Sequence, residues 1–121
     1  MRAIPFLYGV TDSTAAPGMP DGHYRLGEYD VHKKDGAVRL ADGTLAGSTL
    51  TMDQALRNFV SLGDPLEKAS ARLSRYPADY LGLNDRGRLA PRLRADIVVL
   101  DEALTVERVL VAEQEIAINN R

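Results

Sequence analysis

Two stretches of this chain carry residues whose types and spacing suit chemistry. The first is Thr11-Asp12-Ser13-Thr14, a polar group that closes the apolar run from Ile4 to Val10. That run has the make-up of a buried strand, and α/β folds place their reactive side chains at the C-terminal ends of such strands. An aspartate in this place also serves as a turn or helix-cap residue. The second stretch is Asp42-Gly43-Thr44-Leu45-Ala46-Gly47-Ser48, a loop ahead of a helix start at Thr51. Its amides suit an anion held at a helix N-terminus, and equally a structural loop tip. His23 and His32 are the only histidines. Imidazole is a common metal ligand, so Asp12, Asp21 and His23 form a conceivable metal set. Asp21-Gly22 and Lys33-Lys34 beside them read as turns, however, which predicts exposed loop histidines.

The elements that would position these residues follow from periodicity. Residues 4–10 predict a strand, and the Gly- and Pro-rich stretch 15–22 a loop. Tyr24 to Gly43 contains short alternating pieces, among them Ala37-Val38-Arg39-Leu40, set off by Asp35-Gly36 and Asp42-Gly43 turns, which predicts a small antiparallel excursion. A helix follows from Thr51, with Thr51 and Gln54 at capping-box spacing, Met52, Ala55, Leu56, Phe59 and Val60 on one face, and Gly63 as its stop. Asp64, Pro65 and Glu67 predict a second helix, facing inward with Leu66, Ala69, Ser70 and Leu73. Pro77 opens a short third one that ends at Gly82. Beyond residue 83 the period changes to that of strands, near 88–90, at 97–100 and at 106–111.

Composition bounds the function. A 121-residue chain that is 45% hydrophobic and 26% charged is a folding sequence of one-domain size. Its formal net charge of −2 gives no broad attraction to nucleic acid or to an anionic membrane. No apolar stretch approaches the roughly 20 residues that span a bilayer. The absence of cysteine excludes disulfides, thiolate zinc sites and a thiol nucleophile, and suits a cytoplasmic location.

Val10-Thr11-Asp12, the Asp42–Ser48 block, Thr51-Met52-Asp53-Gln54-Ala55, Tyr76-Pro77-Ala78, Leu81-Gly82, Gly87-Arg88-Leu89-Ala90-Pro91 and Ala95-Asp96-Ile97-Val98-Val99-Leu100-Asp101 occur in an order and spacing that closely resembles the C-terminal part of N-acetylglucosamine-6-phosphate deacetylases, of the amidohydrolase superfamily. The resemblance runs from about Val10 to Val111. It implies an α/β protein, in which residues 1–82 form the last strand and closing helices of a metal-dependent (β/α)8 TIM barrel and residues 83–121 the C-terminal strands of a small β-sandwich. As an isolated chain the expectation is a mixed α+β fold.

The resemblance further implies hydrolysis of an N-acetyl group to acetate and glucosamine 6-phosphate. Asp12 would be the catalytic base and acid, and the main chain of Leu45, Ala46 and Gly47 would close on the sugar. The family cofactor is a divalent, zinc-like metal, but its Glu and His ligands match nothing in this chain, so the chain by itself is expected to bind no metal and to be inactive. Its partners would be an amino-sugar phosphate once assembled, and a second copy or a complementing barrel fragment. The alternative is a non-catalytic, self-associating module. Arg92 and Glu113 replace glycines usual in the family, which predicts relaxed or altered packing in the sandwich, and Ser13 replaces a usual alanine, a milder change.

Overall fold

The computed structural model describes residues 6–14 and 18–118. They form a mixed α+β structure with two antiparallel sheets and two compact units, one comprising residues 10–14 and 18–55 and the other residues 6–9 with 56–118.

The first unit is a meander of β1 (Gly22–Leu26), β2 (Tyr29–Lys34), β3 (Ala37–Leu40) and β4 (Leu45–Ser48), in the order β1-β2-β3-β4. Period-2 alternation builds its core: Tyr24 faces Val31, Val31 faces Leu40, and Val31 and Val38 are buried with Tyr24, Leu26, Leu40 and Ala46 packed against them. The antiparallel excursion thus stands as predicted, and it also takes in Gly22 at the end of the first predicted loop and most of the second, Asp42–Ser48. His23 and His32 lie within strands, and Leu45–Ser48 is a fourth strand. Clustered turn residues hid β4 and the start of β1, because a sheet recruits short segments through pairing that composition does not report.

Helix α1 (Met52–Ser61) begins where expected, with the Thr51 carbonyl accepting the first helical bond from Ala55. Ala55 and Leu56 are buried, while Met52 is exposed. The helix closes through Gly63 N–H to Val60 and Asp64 N–H to Phe59, the paired bonds of a Schellman stop.

In the second unit, α2 (Leu66–Leu73) buries Ala69, Arg72 and Leu73 rather than the predicted Leu66 and Ser70, which are exposed. Asp64 does not cap this helix. Its carboxylate instead meets the Arg72 guanidinium at 2.6 Å, and Arg72 also donates to the Leu7 carbonyl at 3.0 Å. The helix starts without a side-chain cap, Pro65 standing one position earlier than predicted. Helix α3 (Arg75–Tyr80) follows and ends in a second Schellman stop at Gly82.

Two predicted strands are not formed. Residues 6–10 make no ladder, Ile4 and Pro5 lie outside the described residues, and the Gly9 amide donates to the Arg72 carbonyl. An apolar run becomes a strand only beside a partner, and none among the described residues lies along this one. Residues 88–90 are likewise irregular, with a bend at Arg88.

The predicted strands at 97–100 and 106–111 are β5 (Ile97–Leu100) and β6 (Val106–Val111), joined by a third, β7 (Gln114–Ile116), in one sheet. The β6–β7 connection is a two-residue turn in which Ala112 and Glu113 have φ of 49° and 72°. Positive φ at both central positions belongs to the primed turn that twists with its strands, and it favours Asn-Gly or Asp-Gly. The β2–β3 turn obeys that rule with Asp35-Gly36, at φ of 52° and 78°. Ala112-Glu113 breaks it, and Arg92 also sits at a positive φ of 69°. The backbone therefore retains at Arg92 and Glu113 the conformation that glycine favours.

The turn is held by Asp96, whose carboxylate accepts the Ala112 amide at 2.8 Å. That bond, and then the one from Arg94, keeps the Asp96 carboxyl below its ordinary value. Glu113→Gly should stabilise the protein by about 1 kcal/mol, the order of the left-handed penalty of an L-residue. A higher urea midpoint at unchanged slope is the expected reading, and an unchanged or lower midpoint would show the turn to be unstrained.

Candidate functional site

The site is built where the Thr11–Thr14 segment runs beside β4. Ser13 and Ser48 form an isolated parallel bridge. The Ser48 amide donates to the Asp12 carbonyl at 2.8 Å, and the Thr14 amide donates to the Ser48 carbonyl at 3.0 Å. The Ser48 hydroxyl donates to the Thr11 carbonyl and accepts the Leu50 amide at 3.1 Å. Ser48 is thus the residue that ties the Asp12 segment to the sheet. Sequence reasoning took it only as the end of a loop, although a Gly-Ser pair in a short strand is a signal of close backbone approach.

Asp12 is exposed and has φ of 49°. Aspartate visits this left-handed region more readily than most residues, and such backbone states gather at functional sites. The bond that pins it uses the main-chain carbonyl and not the carboxylate. Gly47 makes the approach possible: a Cβ there would lie 2.6 Å from Thr14 Cγ2 and 3.0 Å from the Asp12 carbonyl oxygen.

Of the other positions named from sequence, Leu45 is exposed and pairs with Arg39, while Ala46 points into the core of the meander. Ala46 can therefore serve a ligand only through its main chain. Upstream, the Thr44 hydroxyl and then its amide hold the Asp42 carboxyl below its ordinary value, which steadies the turn that enters β4.

The structure therefore brings Asp12 and Gly47 together. It does not assemble the conceivable metal set: no group of three or more His, Cys, Asp or Glu able to hold a metal exists among the described residues. A catalytic zinc needs about three protein ligands and an open position, so the donor set here does not fit one. What the arrangement offers is a single exposed carboxylate on a pinned turn, next to the Thr11, Ser13, Thr14 and Ser48 hydroxyls.

Gly47→Ala is the direct test of that geometry. The close approach of β4 to the Asp12 carbonyl leaves no flexible side chain to absorb the added methyl on that side. The expected cost is about 1–3 kcal/mol of overpacking, with weakened exchange protection at the Ser48 and Thr14 amides. Full protection in the variant would show that the two segments are not in close register.

Comparison with known proteins gives consistent likenesses. The chain is 43% identical over 107 residues to the putative N-acetylgalactosamine-6-phosphate deacetylase of Escherichia coli K12, which covers 87% of this chain and 64% of the relative. It is 38% identical over 104 residues to N-acetylglucosamine-6-phosphate deacetylase of Lysinibacillus sphaericus, covering 85% of this chain and 27% of the relative. Among solved structures, the Thermotoga maritima N-acetylglucosamine-6-phosphate deacetylase superposes with a TM-score of 0.83 at 44% identity, over 90% of this chain and 30% of that one. The Mycobacterium smegmatis enzyme, solved in complex with N-acetyl-D-glucosamine-6-phosphate, gives 0.77 at 42% identity, over 88% of this chain and 29% of that one. The chain thus spans between about a quarter and two thirds of the length of these relatives. No family model matches it.

Proposed function

The chain is a relative of the N-acetylglucosamine-6-phosphate deacetylases, matching their C-terminal part, and from that premise we propose that it contributes the proton-transfer carboxylate and part of the sugar-binding wall of an amino-sugar phosphate deacetylase. Asp12 takes the proton of the water that attacks the acetamide carbonyl. As the C–N bond breaks, the same carboxylate returns the proton to the leaving amine, giving acetate and a hexosamine 6-phosphate. The main chain of Leu45 to Gly47 lies against the sugar. The observation that carries this reading is the pinning of Asp12 to Ser48 beside Gly47, which places the two positions singled out from sequence in one locality.

In the same reading, residues 1–82 complete a barrel and residues 83–121 a small sandwich, and the family's zinc-like metal is held by ligands from further chain. That ligand set is absent from the described residues, so no step of the reaction is assigned to a metal here. The likeness to both glucosamine- and galactosamine-type relatives leaves the sugar as an N-acetylhexosamine 6-phosphate.

The test is acetate release from N-acetylglucosamine 6-phosphate and N-acetylgalactosamine 6-phosphate by this chain co-produced with the metal-binding portion of a family member. Turnover only when both parts are present is the expected result. A folded, associated mixture that releases no acetate from either sugar would overturn the proposal.

A further inference from the structure

The outer face of the meander carries a feature that the deacetylase reading does not use. Alternation sends Tyr24, Val31 and Val38 into the core and leaves His23, His32 and Arg39 in one row across β1, β2 and β3 on the opposite face. His23 and His32 are direct cross-strand partners. Their ring centroids are 4.5 Å apart, and their Nδ1 atoms face each other at 3.5 Å. Both line an open cavity of about 420 Å³, together with Asp30 and Arg39.

We propose that His23 and His32 form a two-ligand chelate for a divalent cation of the zinc class. Two imidazole nitrogens, each about 2.0–2.1 Å from a tetrahedral ion, stand roughly 3.4 Å apart. The observed 3.5 Å therefore admits one ion between the rings with little movement. The strand ladder already fixes the separation of the two side chains, so binding orders no loop. In the bound state each neutral ring carries its proton on Nε2, and both Nδ1 lone pairs turn to the metal. His23 is exposed and His32 half-buried, which leaves the remaining coordination positions on the solvent side for water.

Arg39 opposes the cation, because it pairs with His32 across the next strand. Its guanidinium is directed instead at the Gly43 carbonyl, 3.1 Å away, which lessens the repulsion without removing it. Imidazole selects zinc, copper or nickel over magnesium, which prefers oxygen ligands.

The two histidines are the only ones in the chain, so the imidazole region of a proton–nitrogen NMR spectrum holds two spin systems. Titration with zinc chloride at neutral pH should shift both rings together and saturate at one ion per chain, with magnesium chloride leaving them in place. His23→Gln and His32→Gln should each weaken zinc binding at least about tenfold, since losing a ligand outweighs the 10–100-fold cost of an outer-shell change. Arg39→Gln, which keeps both ligands, should bind at least as tightly as the parent. The proposal is overturned if only one ring responds, if neither histidine substitution weakens binding, or if Arg39→Gln abolishes it in a folded protein.

Discussion

Replacing Asp64 with asparagine should destabilise the unit that contains it by about 3–5 kcal/mol, the cost of leaving one member of a buried ion pair without its counter-charge. Arg72 is only 2% exposed and Asp64 11%, and the 2.6 Å contact between them lies in a unit whose other buried side chains are small or aliphatic. Arg72 has further duties. Its side chain donates to the Leu7 carbonyl, its own carbonyl accepts the Gly9 amide, and its guanidinium lies 5.9 Å from the centre of the Phe59 ring. The asparagine side chain would keep the shape and one acceptor, but the cation would stay buried without an anion. A whole domain is stable by about 5–15 kcal/mol, so this loss is a large fraction of the total.

The double change Asp64→Asn with Arg72→Met removes the orphaned charge and should recover part of the loss. It should not recover all of it, because the Leu7 carbonyl then lacks its donor, worth about 1 kcal/mol. Urea unfolding of the three proteins measures the difference, and faster exchange at the Gly9 amide localises it. A single variant as stable as the parent would show that Asp64 is not the counter-ion that matters.

This pair also illustrates what the sequence conveys and what it hides. Asp64 before Pro65 and ahead of Glu67 reads as a helix cap, since local spacing is all that a cap requires. An arginine eight residues on offers a longer-range bond, and nothing in the local pattern tells that Arg72 is buried. The helices themselves were legible because 3.6-residue periodicity and glycine stops act within one segment. Strands β2, β3, β5 and β6 were legible for a similar reason, with alternation and turn residues at their ends. Strand β4 was not, β1 was read only as part of the excursion from Tyr24, and the histidine pair was hidden, because a cross-strand neighbour nine residues away in the chain is fixed by hairpin register alone.

At the candidate site, Asp12 and Gly47 were visible as separate positions, through their place at a run's end and in a glycine-bounded block. Their joining through Ser48 depends on a parallel bridge between residues 35 apart in sequence, which composition cannot signal. Arg92 and Glu113 point the other way. Read as departures, they suggested altered packing, yet the main chain holds positive φ at both. The local penalty is met by neighbours such as Asp96, so the turn outlasts the loss of its preferred residue.

Asp12→Asn separates chemistry from folding more cleanly than any other substitution in this chain. Asparagine tolerates the positive φ at this position about as well as aspartate. The bond that pins the segment runs from the Ser48 amide to the main-chain carbonyl of residue 12 and does not involve the carboxylate. Stability should therefore stay within about 0.5 kcal/mol of the parent, as for exposed positions without a special role. In the assembled deacetylase proposed for this chain, the same change should lower acetate release by about 10²–10⁴-fold, the usual worth of a positioned proton-transfer group. Asp12→Ala would confuse the two effects, since alanine resists the left-handed conformation. The informative comparison is thus with Gly47→Ala, which should lower stability and activity together by separating β4 from the Asp12 segment. An Asp12→Asn protein that keeps parental turnover would remove Asp12 from the reaction, whereas one that loses both turnover and stability would mean that the carboxylate holds the turn rather than the proton.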